Sequence, residues 1–157
     1  MLVGVSLPHV SIVGESWLLA CETAGSFVDP ARHLLQGQHT SGETSVSQWS
    51  FNATESRRRA AEGPPFVGHT FFITDKVKPK PVELRAILDA GGGTVSRLPP
   101  TTKETAPMIV ISTEEEKPKW RAMAKLPHVT VIKVEHLLSC VLKQQLDLED
   151  PAGLLHP

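Results

Sequence analysis

One stretch of this chain occurs twice. Residues 7–21 read LPHVSIVGESWLLAC, and residues 126–140 read LPHVTVIKVEHLLSC, in register and without a gap. The Leu-Pro-His-Val opening, the Leu-Leu pair and the final cysteine coincide, Ser11 stands against Thr130, and Trp17 stands against His136. Agreement in both the apolar pattern and the punctuation implies one supersecondary unit built twice. The unit reads as a short β-branched strand, HVTVI, followed by a helix from Glu135 that sets Leu138, Val141, Leu142 and Gln145 at helical spacing, with Lys143 outward.

Ahead of the second copy lies a full set of further elements. HTFFITDKV reads as a strand, and PVELRAILDA as a helix opened by Pro81 with Leu84, Ile87 and Leu88 on one stripe. TVSRL is a second strand, PMIVIST a wholly apolar third, suited to the centre of a parallel sheet, and KPKWRAMAKL a second helix. The order is β-α-β-β-α-β-α over residues 66–150, an α/β domain with a small parallel sheet flanked by helices.

Only six residues precede the first copy, and a lone strand and helix cannot bury their apolar faces. The expectation is that residues 1–35 are the last strand and helix of a truncated first repeat. Val10, Ile12 and Leu18 would then be left uncovered and open to self-association. Residues 36–65 read as a linker, Gly/Ser/Thr/Gln-rich at first. Asn52, followed three residues later by Glu55, starts a short helix over about 53–62, and Gly63-Pro64-Pro65 stops it. Trp49 and Phe51 should pack against a domain, and residues 151–157 form a tail.

Composition narrows the function. A formal net charge of −1 gives no general attraction to nucleic acid or to a membrane surface. The apolar N-terminus lacks a basic n-region and is too short to span a bilayer. Cys21 and Cys140 read as buried free thiols rather than a disulfide. None of the seven histidines stands in a ligand-spaced His/Cys cluster, so no metal or cofactor is expected. No nucleophile or paired-carboxylate arrangement points to catalysis. STEEEK reads as a solvated acidic helix start, and Arg57-Arg58-Arg59 as a helix face paired with Glu55 and Glu62. The glycine triplet Gly91–Gly93 lies after a helix and before a strand, the reverse of a phosphate loop, where the helix dipole disfavours anions. Gly91 is expected to be a left-handed helix cap.

With DAGGGTV as a Gly-Gly turn after the first helix, SWLLAC as a Trp-x-x-x-Cys helix and EHLLSC as its counterpart, the chain resembles the BRCT family. Gly91, Gly92, Trp17, Cys21 and Cys140 carry that signature, and His136 departs from its tryptophan. The whole arrangement resembles the tandem BRCT pairs of DNA-damage mediator proteins. The resemblance implies a nuclear, non-enzymatic scaffold module that binds a phosphorylated protein or peptide, with a C-terminal phosphoserine motif among the options. It assigns the phosphate-holding Ser or Thr, Gly and Lys to the early part of a first repeat, which this chain lacks. Phosphate-specific binding should therefore be impaired. The second repeat would supply the far wall of the groove from Lys78, Pro79, Lys80, Val134, Glu135 and Leu138, although the lysines also read as ordinary surface charges. Two alternatives are a phosphate-independent docking scaffold and an accessory domain of a DNA-processing enzyme.

Overall fold

The computed structural model describes residues 10–41 and 49–155. Its main unit is a four-stranded parallel sheet in the order β4-β3-β5-β6, from β3 (Thr70–Ile73), β4 (Thr94–Val95), β5 (Met108–Ser112) and β6 (Val129–Lys133). Helix α3 (Pro81–Ala90) connects β3 to β4, α4 (Lys117–Met123) connects β5 to β6, and α5 (Val134–Lys143) follows β6 directly. Strand β5 is buried at all of its positions, as a central parallel strand must be. Its alternation sorts the core into two layers. Ile109 and Ile111 join Phe71, Leu84, Leu88, Ile132, Leu137 and Val141 on the α3/α5 side. Val110 joins Trp120 of α4, Val131 and Leu155 on the other. Leu84 and Leu88 are fully buried, and each such leucine stabilises the fold by about 2 kcal/mol.

The expected helix stripes are observed, with differences at the ends. TVSRL forms a strand only over Thr94–Val95. Helix α5 stops at Lys143 because Gln144 adopts a left-handed conformation, so Gln145 lies past the helix and is exposed rather than on its stripe. Beyond it the chain returns along β6. The Lys133 amide donates to the Gly153 carbonyl and the Leu155 amide to the Val131 carbonyl (both 2.9 Å), so residues 153–155 cover the outer edge of β6. The tail is thus part of the sheet's packing.

The glycine triplet divides its work differently from the expectation. Gly91 has φ −83°, an ordinary value, and the left-handed residue is Gly92 at φ +78°. Gly91 is required for close approach, because a Cβ there would overlap the Phe66 ring, whose Cε2 would lie 2.8 Å away. The turn is structural, with Phe66 filling the space that the missing side chain leaves.

The first copy folds only in part. Its helix, α1 (Glu15–Ala24), forms, but the expected strand does not: residues 10–13 hold only an antiparallel bridge from Val13 to Leu34. Among the described residues no parallel strand lies beside this segment, so its backbone pairs instead with residues 33–35, Leu35 N–H to Ile12 C=O at 2.8 Å and Gly14 N–H to His33 C=O at 2.9 Å. Val10 is 41% and Leu18 61% exposed, while Ile12 is half-buried. Residues 7–9 of the repeat lie outside the described residues.

The stretch read as a linker is more ordered than its composition implies. An antiparallel pair, β1 (Gln38–Ser41) and β2 (Trp49–Asn52), leads into α2 (Ala53–Glu62). The Asn52 carboxamide accepts from the Glu55 amide at 3.0 Å and caps α2. Phe51 is buried with Ala53 and Leu142 of α5; the side chain of Trp49 lies outside the described residues. Arg58 pairs with Glu55 and Glu62, and Arg59 with Glu55. The Arg58 guanidinium, bonded to Glu55, holds that carboxyl at about 2, well below its usual range.

Candidate functional site

The three strands β3, β5 and β6 run parallel and end on one side of the sheet, where the loops after them meet. From β3 the chain crosses to β4 on one side and then to β5 on the other. The crevice above β3 and β5 is therefore a topological switch point, the place where open parallel sheets form their sites. A cavity of about 310 Å³ lies at these strand ends. It is lined by Lys76 and Lys78 after β3, by Thr113, Glu114 and Glu115 after β5, and by Lys133, Val134 and Glu135 at the turn from β6 into α5. Three ammonium groups face three carboxylates, so the rim is charge-balanced and suits a partner of mixed polarity better than a bare anion.

Of the residues expected to line a groove, Lys78, Val134 and Glu135 meet in this cavity. Pro79 and Lys80 do not line it. Lys80 precedes α3, where its amide donates to the Glu83 carboxylate at 2.8 Å. Leu138 is a correction: it is only 5% exposed and packs in the core with Leu84 and Leu137, because it sits one helical turn beyond the rim on the inner face of α5. Lys76, Thr113, Glu114, Glu115 and Lys133 were not anticipated. Their common signal was position, each following or ending an apolar strand of a parallel sheet.

The floor beside the cavity is held by a buried carboxylate. Glu116, expected to be solvated with its neighbours, is only 4% exposed. Its Oε2 accepts the Lys76 amide at 3.1 Å, and Lys119 Nζ lies 3.6 Å from its Oε1. Lys119 also binds Asp75, and that hydrogen bond pushes its pKa upward. Glu116 thereby ties the β3 loop to the start of α4 and sets the level of Lys76 and Lys78.

The signature residues perform one task in both copies. In the first, Trp17 Nε1–H donates to the Val28 carbonyl at 3.0 Å, and the Val28 amide donates to Cys21 Sγ at 3.4 Å. In the second, His136 Nε2 meets the Asp147 carbonyl at 2.5 Å, and the Asp147 backbone hydrogen-bonds the Cys140 sulfur. Both ring contacts span 11 residues. The pair is a clamp that holds both backbone polar groups of one residue where the chain leaves the helix. Histidine substitutes for tryptophan because imidazole Nε2–H can occupy the place of the indole N–H. His136 is partly buried with a bonded nitrogen, and its Nδ1 lies 3.7 Å from Asp150. Trp17 is half-buried and stacks on Phe27, itself 88% exposed. Both thiols are free; Cys140 is buried, and burial raises its pKa, whereas Cys21 is half-buried.

Comparison with known proteins agrees with this architecture. The chain is 31% identical over 147 residues to PAX-interacting protein 1 of Bos taurus, covering 88% of this chain and 14% of that protein. It is 29% identical over 143 residues to mediator of DNA damage checkpoint protein 1 of Rattus norvegicus, covering 91% of this chain and 10% of that protein. The chain therefore spans a small part of the length of these relatives. The crystal structure of the S. pombe Brc1 BRCT5-BRCT6 domains has the same fold, with a TM-score of 0.64 at 20% identity, over 95% of this chain and 74% of that one. The BRCT domain profile itself matches residues 64–152, the parallel sheet with its helices and clamp, and the chain belongs to the BRCT domain family.

Proposed function

We propose that this chain is a non-enzymatic protein-interaction module of a nuclear DNA-damage-response scaffold, and that the cavity at the strand ends is the second-repeat half of a peptide-binding groove. The observation that carries this reading is the meeting of Lys78, Val134 and Glu135, from two loops far apart in sequence, in one cavity. The kinship with PAX-interacting protein 1 and the DNA damage mediator supports the cellular setting. Among the described residues no helix is long and apolar enough to cross a membrane. The arginine run does not favour nucleic acid, since Arg58 and Arg59 are engaged by Glu55 and Glu62.

In an intact tandem pair the groove would take a phosphoserine peptide, with the phosphate held by the first repeat and a following residue held here. Among the described residues, 10–35 hold one α-helix and an isolated bridge rather than a full repeat, so this chain should bind such peptides with little phosphate preference. Fluorescence anisotropy with matched phosphorylated and unphosphorylated peptides tests this. A preference above tenfold, about 1.4 kcal/mol, would overturn it. The exposure of Leu18, Leu19 and Phe27 favours a second reading, phosphate-independent docking or self-association through α1. Under it, partner binding would be unchanged by phosphatase treatment.

A further inference from the structure

Helix α2 is fastened at both ends. At its start, the Ala53 amide donates to the Gly37 carbonyl (2.8 Å) and Thr54 Oγ1 accepts the Gly37 amide (3.2 Å). These contacts hold the helix to the segment that pairs with Ile12 and Gly14. One turn on, Arg57 reaches the Leu35 carbonyl at 3.5 Å. Farther along, Arg59 Nη1 donates to the Lys143 carbonyl of α5 at 3.1 Å, while its Nε is held by Glu55 at 3.0 Å. The carbonyls of a helix's last turn have no partner within the helix, and the helix dipole favours a cation there. Beneath this contact, Phe51 and Ala53 bury against Leu142, and Ile12 and Leu35 pack on the same cluster. The other end of α5, Val134 and Glu135, lines the cavity.

We propose that α2 is a brace that fixes the N-terminal unit, residues 12–35, in one orientation on the second repeat, with Arg59 as its positioning residue. The inference rests on the proposed function for its consequence: α5 joins the brace at one end to the groove at the other. The position of the N-terminal unit relative to the cavity is then set by the linker, since among the described residues the two copies share no sheet. Arg59 does not line the cavity; it acts through the last turn of α5.

Residual dipolar couplings of the backbone amides, measured on the full chain, test the brace. In the wild type, amides of α1 and of β3, β5 and β6 should fit one alignment tensor. Arg59→Gln and Glu55→Gln, the latter removing the charge that orients Arg59 together with its pair to Arg58, should leave the sheet's tensor unchanged. The α1 amides should then depart from it with reduced order. Arg59→Lys, which keeps a cation for the Lys143 carbonyl, should restore part of the common fit. A simple loss of stability would spread over the sheet amides as well. A single tensor in both glutamine variants, or two tensors already in the wild type, would overturn the proposal. Peptide titration separates this from the groove reading: no shift at Lys78, Val134 and Glu135 would remove the groove and leave the brace standing.

Discussion

Replacing Gly91 by alanine would drive a methyl group into the Phe66 ring, with Cε2 at 2.8 Å and Cγ at 3.4 Å. Phe66 cannot yield easily. It is fully buried, meets Phe71 edge-on at 5.5 Å between centroids, and donates its amide to the Gly91 carbonyl at 2.8 Å. Overpacking of this kind costs about 1–3 kcal/mol, and a site closed by a ring and its own backbone bond belongs at the upper end. Gly92→Ala fails for another reason. Its φ of +78° costs an L-residue about 1–2 kcal/mol whatever the space, and the atoms it meets belong to Val67 and Pro64 rather than to Phe66. The two substitutions should therefore differ in coupling rather than in size. Phe66→Leu alone opens a cavity and destabilises, but it also makes room at Gly91, so the Gly91→Ala/Phe66→Leu pair should cost about 1 kcal/mol less than its parts together. Gly92→Ala should be additive with Phe66→Leu. Urea denaturation of the four variants reads this directly, and in thermal melts each kcal/mol moves Tm by roughly 4–8 °C for a domain of this size. Additivity of Gly91→Ala with Phe66→Leu would refute the close-approach account and return the triplet to a simple flexible turn.

Two further outcomes follow from the same geometry. His136→Ala removes the donor to the Asp147 carbonyl and the ring against which Gly153 packs, and should cost about 2 kcal/mol with early amide exchange in residues 147–155; His136→Phe should rescue little, because it restores bulk without the N–H. Glu55, held at about 2 from an ordinary 4.5, contributes stability that is fully present above pH 4.5 and is lost as pH falls toward 2; helix α2 should loosen over that window, and Glu55→Gln should flatten the pH dependence of its amide exchange.

The sheet and its helices were legible because each element carried its own signal. Leu84, Ile87 and Leu88 fall on one helical stripe, MIVIS is apolar throughout, and Asn52 announces the start of α2. What was illegible depended on partners. VSIV, residues 10–13, has the composition of VTVI, yet forms no strand, because a strand's identity lies in its neighbours' hydrogen bonds. QHTS and WSFN form β1 and β2 although their composition reads as linker, for the converse reason. Glu116 looked like one of three equivalent acids, and only the fold shows that it alone turns inward to the Lys76 amide. In the cavity, Lys78, Val134 and Glu135 were reached by resemblance, whereas Lys76, Thr113 and Lys133 could have come from the rule that parallel sheets place their sites at strand ends. Leu138 was misplaced because the step of one helical turn from rim to core cannot be resolved without knowing the helix's rotation.

The clamp shows what the repeat preserves. Between the copies, histidine stands for tryptophan, and the residue whose backbone is held is Asp147 in place of Val28. Neither change disturbs the device, since the clamp reads a backbone carbonyl and amide and is indifferent to the side chain between them. It needs one N–H donor on the helix and a sulfur one turn later, which is why the cysteine persists while the aromatic position varies. The surroundings are less constant. Leu137 and Leu138, beside the second clamp, are buried against the sheet, whereas their counterparts Leu18 and Leu19 are more than half exposed. A local hydrogen-bonding device has thus kept its geometry in a setting where the packing it accompanies is missing. The clamp forms from the helix and the segment that follows it, and does not depend on the sheet beneath.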